Sequence, residues 1–154
     1  MTARSAIVRE GLTVGIATGA YGISFGALGV AAGLTILQTC ALSLLVFTGA
    51  SQFALVGVVA SGGAALSGTA TALLLGLRNG LYGLRLAPLL GFTGLRRIAA
   101  AHLVIDESTA MSINRPAGTE ARTGFVATGI AVFVFWNLAT LVRQVRLHTD
   151  LSED

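Results

Sequence analysis

The chain has 154 residues, of which 54% are hydrophobic and 11% charged, and its mean hydropathy is +0.80. A soluble domain usually carries about 25% charged residues, so this composition excludes an ordinary soluble protein and indicates an integral membrane protein. The net charge is +3, and all ten basic residues are arginines that stand at the ends of apolar segments. Nucleic-acid binding is not expected, because nucleic-acid binders cluster basic residues on one solvated face.

The first apolar segment, residues 11–33, carries seven glycines in steps of three or four residues. At about 100° per residue they fall on one stripe of a helix, and such a stripe lets another helix approach closely in a bilayer. Two arginines precede the segment, as in a signal peptide, but apolar sequence continues beyond it. We expect a first transmembrane helix that stays in the protein and packs through Gly11, Gly15, Gly19, Gly22, Gly26, Gly29 and Gly33.

Residues 37–60 form the second apolar segment, whose centre reads TGASQ at residues 48–52. Small and polar residues in this place are typical of a helix broken inside the membrane, where freed backbone groups face a ligand. Gly49 would let a ligand approach the backbone, Ser51 would cap the second half-helix, and Gln52 would donate and accept hydrogen bonds. An intact helix with ordinary interhelical hydrogen bonds is an equal alternative at this point.

The distribution of charge favours the break. No charged residue lies between Glu10 and Arg78, which leaves room for two or three spans of roughly 20 residues. Three full crossings would place Arg78 and the following arginines on the opposite side from Arg4 and Arg9, against the positive-inside rule. A second segment that breaks midway and turns back removes this conflict.

The third apolar segment, residues 66–77, is short and leads directly into Arg78 and Asn79. An arginine within the membrane usually faces a cavity or a partner and can hold a carboxylate in a bidentate pair. The alternative is snorkelling at the interface, which the position of Arg78 alone somewhat favours. Tyr82, on the same helical face, is either an interfacial anchor or the wall of a site.

A more polar stretch follows and predicts an amphipathic helix and then a loop that contains the breaker at residues 116–118. His102 and Asp106 are four residues apart, so a helix would bring them together. Asp106 and Glu107 could carry protons in transport. The alternative is that they form a solvated face or pair with nearby arginines.

The last span is predicted over residues 124–142, and the polar residues that follow are expected to be a solvated tail. The chain thus divides into a transmembrane domain, 1–142, and a tail, 143–154. Enzyme signatures are lacking: there is no phosphate-binding loop, no metal-ligand histidine pair and no nucleophile elbow. The single cysteine, Cys40, excludes an intrachain disulfide. We expect no enzymatic activity, no cofactor and no metal.

Three motifs in this order, VFTGASQF, LLLGLRNGLYG and HLVIDESTAM, closely resemble the AzlC family of branched-chain amino acid transport proteins. The resemblance covers roughly residues 11–142, including Trp136. It implies a multi-pass protein of the bacterial inner membrane that exports valine, leucine and isoleucine, with methionine a further candidate, together with a small membrane partner of the AzlD type. By motif, substrate binding would fall to Gly49, Ser51, Gln52, Arg78 and Asn79, and proton or ion coupling to Asp106 and Glu107.

Two further expectations follow the resemblance. Charge suggests that Arg78 binds the substrate carboxylate. AzlC proteins continue with apolar spans where this chain becomes polar, so a truncation or frameshift near Val142 is expected, and the tail would then be aberrant. The alternative functions are a membrane scaffold that moves no substrate and an inactive remnant of the transporter.

Overall fold

The computed structural model describes the backbone of residues 2–153 and the side chains of residues 2–64 and 66–150. Over this range the chain is α-helical and has no β-strand, as predicted. The helices are α1 Ala3–Gly19, α2 Tyr21–Ala31, α3 Ile36–Leu45, α4 Ala50–Ala60, α5 Ala65–Leu90, α6 Gly94–His102, α7 Asp106–Ile113 and α8 Thr119–Glu153. Two stretches are long and apolar enough to cross a membrane, Ala3–Ala31 and Thr119–Asp150.

The glycines of the first segment bring α1 and α2 against α8. A Cβ added at any of the first six would come within 2.8 Å of an α8 atom. Gly11 lies beside Thr128 and Gly26 beside Thr140, so residue numbers rise together and the helices are parallel. Gly33 does not take part: it lies beyond α2 with φ +73° and meets nothing within 4 Å. Its conformation ends the helix, and its predicted packing role is wrong.

The predicted break in the second segment is confirmed and lies at residues 46–49. Helix α3 ends at Leu45 and α4 begins at Ala50. Gly49 has φ +58°, which a residue with a side chain adopts only at a cost. Gly49 is also the N-cap of α4, and no side chain caps it. Ser51 therefore lies in the first turn of α4 and is not the cap that was predicted.

Helices α3 and α4 form a re-entrant hairpin, which we call the first hairpin. Helix α5 ends beside the start of α8, where the N–H of Gly118 donates to the carbonyl of Leu89 at 3.3 Å. Helix α5 is therefore antiparallel to α8, and it runs from the end of the bundle at which α2 ends to the end at which α1 begins. The α4–α5 packing of Gly68 against Leu55 and of Gly76 against Ser51 is antiparallel. The first hairpin therefore starts at the α2 end of the bundle, reaches the middle of the bundle with α3 and returns to the same end with α4.

Helix α5 runs without interruption for 26 residues, so the third segment does not end at Leu77 as predicted. Arg78 and Asn79 lie in the middle of this helix. The prediction placed the end of the segment at its first charge, but apolar residues resume directly afterwards. A single arginine does not end a helix, since its helix propensity is among the better ones.

The predicted amphipathic helix is two helices, α6 and α7, separated at residues 103–105. They leave the α1 end after α5 and return to it, where α7 packs on α8 through Gly124 and Met111. We call this pair the second hairpin. The predicted contact between His102 and Asp106 is wrong because the break separates them; the His102 ring instead packs near Phe47, at 6.0 Å between centroids.

Helix α8 does not end at Val142 and runs on to Glu153. Gln144 is fully buried, and its Nε2 donates to the Gly26 carbonyl at 2.7 Å and to the Thr39 hydroxyl at 3.1 Å. The predicted solvated tail therefore does not begin at Arg143. Because Gly26 has no side chain, its carbonyl stays accessible and can accept a hydrogen bond from the buried Gln144.

Candidate substrate site at the tips of the two hairpins

The tips of the two hairpins meet at a cavity of about 180 Å³, the central cavity. The first hairpin contributes the residues around Gly49 and the second those around Asp106, while α5 supplies Arg78 and α8 supplies Trp136. Pockets for drug-sized ligands measure roughly 300–1,000 Å³. The central cavity therefore suits a small metabolite.

In the first hairpin a buried glutamine connects the two half-helices. The Nε2 of Gln52 donates to the carbonyl of Leu42 at 3.0 Å and to that of Ser43 at 3.4 Å. Both carbonyls belong to the last turn of α3, where the N–H of Val46 also donates to the Leu42 carbonyl at 2.9 Å. Gln52 is fully buried and does not line the cavity. Its role in this structure is to link the start of α4 to the end of α3 across the break.

In the second hairpin a buried serine connects the two helices across the break. The hydroxyl of Ser108 donates to the Leu103 carbonyl at 2.6 Å, and the N–H of Ile105 donates to that hydroxyl at 3.1 Å. Counted from the N-cap, Ser108 occupies the third helical residue of α7, as Gln52 does in α4. The two breaks are thus stabilised by equivalent positions in the chain.

The α4 side of the central cavity carries no charged side chain. Gly49 and Ala50 line it, and no side chain caps this helix. The first N–H groups of a helix have no partner within it, and they carry the positive end of the helix dipole. This wall of the cavity therefore favours an anion.

The α7 side is acidic. Asp106 and Glu107 form its first turn, and Arg78 approaches from α5 with Nη2 2.9 Å from Oδ2 of Asp106. Both side chains of this ion pair are nearly half exposed, at 44% and 47%, so the pair adds little stability. The Thr18 hydroxyl lies beside the Glu107 carboxylate, and the Arg78 guanidinium lies 6.0 Å from the ring centre of Tyr82.

The remaining wall of the central cavity is apolar. It consists of Phe47, Ile105, Val132 and Trp136, all of which are at least nine-tenths buried. Phe47 packs edge-on against Phe133 at 5.0 Å between ring centres. A rigid apolar wall opposite charged and dipolar groups fits a ligand that has a polar end and an aliphatic end.

The structure brings four predicted site residues together, Gly49, Arg78, Asp106 and Glu107. It places the other three elsewhere: Gln52 bridges the break, Ser51 faces α5, and Asn79 is half-buried outside the cavity. The apolar wall and Thr18 were not among the predicted site residues. Of these only Trp136 carried a signal, because it belongs to the motif resemblance.

A second cavity, of about 250 Å³, lies between α5, α6 and α8. Leucine, alanine, glycine and phenylalanine line most of it, and Arg97 is its only charged lining residue. Binding sites for metabolites combine apolar walls with several convergent polar groups. The central cavity has that combination and this one does not, although it is larger.

Comparison with known proteins identifies the family. A family model described as AzlC protein matches residues 13–145. The chain belongs to the AzlC family. AzlC is a transport family generally related to branched-chain amino acid transport and is not known as enzymatic. No curated protein and no solved structure matches the chain.

Family membership and the two long apolar stretches indicate that this AzlC protein is a membrane protein. Among the described residues, no group of three or more His, Cys, Asp or Glu side chains is placed to hold a metal ion. The family match extends to residue 145 and so includes the buried Gln144 of α8.

Proposed function

We propose that this AzlC protein exports branched-chain amino acids, namely valine, leucine and isoleucine, with methionine as a further candidate. It would act as a multi-pass protein of the bacterial cytoplasmic membrane, together with a small membrane partner of the AzlD type. The observation that carries the proposal is the central cavity, where two re-entrant hairpins from opposite ends of the bundle meet. Transporters commonly bind substrate near the bilayer midplane between broken helices.

The charges of the central cavity fit an amino acid. One guanidinium and two carboxylates line it, which leaves one negative charge when all three are ionised. An α-ammonium group would balance that charge beside Glu107, because Asp106 is already paired with Arg78. In this arrangement Arg78 positions Asp106, and a contact of Arg78 with the substrate carboxylate would require the ion pair to open.

The apolar wall fits the branched side chain. A valine or leucine side chain placed against Phe47, Val132 and Trp136 would bury apolar surface at about 25 cal/mol per Å². A charged or strongly polar side chain would lose its hydration there without a partner. This selects aliphatic amino acids.

Efflux tests the proposal directly. Cells that lack their own exporters would express the chain with its AzlD-type partner and be loaded with a valine-containing dipeptide, and free valine would be measured outside. Efflux above the empty-vector control is expected. No efflux from cells that hold both proteins in the membrane would contradict the proposal and favour a scaffold or an inactive protein.

Coupling is assigned to the acidic first turn of α7. We expect Glu107→Gln to lower valine efflux about tenfold or more, since it removes the charge that pairs with the substrate ammonium. If Glu107 also carries the coupling proton, the remaining efflux no longer responds to an imposed pH gradient. Glu120→Gln is the matched control, because Glu120 is an exposed residue in the first turn of α8. Wild-type efflux and pH response in Glu107→Gln would exclude this role.

A further inference from the structure

We propose that the carboxylate of the substrate binds at the amino-terminal end of α4, between the free backbone N–H groups of that helix and the indole N–H of Trp136. Arg78 is then not its partner. The inference rests on the proposed function, since it names the subsite of the same cavity that recognises the anionic end of an amino acid.

The first set of donors is the backbone of α4. The carbonyl of Gly49 already accepts hydrogen bonds from the N–H groups of Gln52 and Phe53, at 3.0 and 3.1 Å. The N–H groups of Ala50 and Ser51 precede these and have no acceptor within the helix. Glycine at the N-cap supplies no side chain to cap them. An anion at this helix end would receive both hydrogen bonds and the favourable dipole.

The second donor is independent of the helix end. Trp136 is 5% exposed, lines the same cavity, and its Nε1 has no hydrogen-bond partner among the described residues. A buried donor without an acceptor is costly and calls for an explanation. Tryptophan can only donate from this atom, so the missing partner must be an acceptor.

Aromatic packing holds the indole beside the start of α4. The Phe53 ring, one turn into α4, meets Trp136 edge-on at 5.9 Å between ring centres, and Phe25 of α2 contacts both rings, at 6.0 Å from Trp136 and 5.7 Å from Phe53. The indole is thus held against α4, whose first residue, Ala50, also lines the cavity. In the proposed complex both kinds of donor bind one carboxylate.

The alternative partner, Arg78, is already engaged. Its Nη2 lies 2.9 Å from Asp106, on the α7 side of the cavity. With the carboxylate at α4 and the ammonium at Glu107, the zwitterion spans the cavity from one hairpin to the other. Every charged group then has a partner, and the Arg78–Asp106 pair stays intact.

The test uses the full chain purified together with its proposed AzlD-type partner, and two ligands that differ at the carboxylate, L-valine and L-valinamide, which is uncharged at that end. Affinity for each would be measured by calorimetric titration. Trp136→Phe keeps an aromatic ring and removes the N–H. We expect it to weaken valine binding about tenfold or more, as for the loss of a hydrogen bond to a charged group, and to weaken valinamide binding several-fold less, because the amide oxygen accepts only a neutral hydrogen bond.

The ratio of the two affinities separates recognition from loosened packing, because looser packing would weaken both ligands together. A double variant, Arg78→Gln with Asp106→Asn, removes the ion pair without leaving one charge unpaired. We expect it to shift both affinities together and to keep their ratio.

Two results would overturn the inference alone: an unchanged ratio in Trp136→Phe, or a ratio that collapses in the double variant, which would assign the carboxylate to Arg78. A wild-type chain that binds neither ligand would overturn the proposed function, and the inference with it.

Discussion

The two hairpins use the same construction and present opposite chemistry. In each, a non-helical stretch of three or four residues precedes a second half-helix, and the third residue of that half-helix hydrogen-bonds back across the break. In the first hairpin the first two helical residues are Ala50 and Ser51, which leave the helix end bare. In the second they are Asp106 and Glu107, which cover it with carboxylates.

This difference shows how one backbone arrangement can serve both ends of a zwitterion. A helix end carries roughly half a positive charge. Left bare it favours an anion, and with two carboxylates in its first turn it favours a cation. The residues that hold each break are buried, whereas the residues that set its charge line the cavity. Stability and recognition therefore reside in different positions of the same turn.

The assigned difference between the two helix ends can be tested by making the first hairpin resemble the second. Ala50→Asp puts a carboxylate at the position equivalent to Asp106. We expect valine affinity to fall about a hundredfold or more, because a like charge then faces the substrate carboxylate. The measurement is calorimetric titration of the purified chain with valine.

Ala50→Asn is the matched variant, since asparagine has nearly the same size as aspartate and no charge. It should lose far less affinity than Ala50→Asp. Equal losses in the two variants would mean that size, and not charge, decides what the α4 end accepts, and the assigned opposition of the hairpins would be wrong.

The equivalence of Gln52 and Ser108 is tested by removing each. Gln52→Leu removes the side-chain donor from the carbonyls of Leu42 and Ser43 and leaves Leu42 only the N–H of Val46, while Ser108→Ala removes the side-chain donor from Leu103. Each substitution should lower the free energy of unfolding by about 1–3 kcal/mol, measured by thermal unfolding in detergent.

Ser61→Ala serves as the control, because Ser61 is exposed and its hydroxyl donates to the carbonyl of Val58, three residues before it, at 2.9 Å. It should change stability by no more than about 0.5 kcal/mol. If Gln52→Leu or Ser108→Ala proved as mild as this control, the buried hydrogen bond would not hold that break.

How much of this could be predicted from sequence differs between the hairpins. The first break was visible because Gly49 and two polar residues interrupt an apolar run. The second was not, because residues 103–105 read Leu-Val-Ile, with neither glycine nor proline. Its one local sign is the acidic pair Asp106 and Glu107, of a kind enriched in the first turn of a helix but weak by itself.

The candidate site was also predicted only in part, because the sequence shows which residues are polar but not which way they face. Charged residues of the motifs reached the cavity, while Ser51 and Gln52 were assigned to substrate because polar residues in apolar segments suggest binding. The structure gives Gln52 a backbone partner instead. The side of a helix on which a residue lies depends on where the helix begins, and α4 begins two residues earlier than a Ser51 cap would require. Apolar lining residues carry no chemical signal in the sequence.

The smallest expected effect compares how each hairpin packs on its long helix. Gly124 places α8 against α7, and a Cβ there would come within 2.3 Å of the Met111 carbonyl oxygen; at Gly68, between α4 and α5, the closest atom is the Leu55 side chain at 3.1 Å. The Leu55 carbonyl oxygen is also near Gly68, at 3.2 Å, but a backbone contact of 2.3 Å requires a much larger shift than contacts of 3.1 and 3.2 Å. Gly124→Ala should therefore lower the thermal unfolding temperature more than Gly68→Ala. Alanine also gains about 1 kcal/mol of helix propensity over glycine, which brings Gly68→Ala close to neutral. Equal destabilisation by the two substitutions would show that the second hairpin is packed no more tightly than the first.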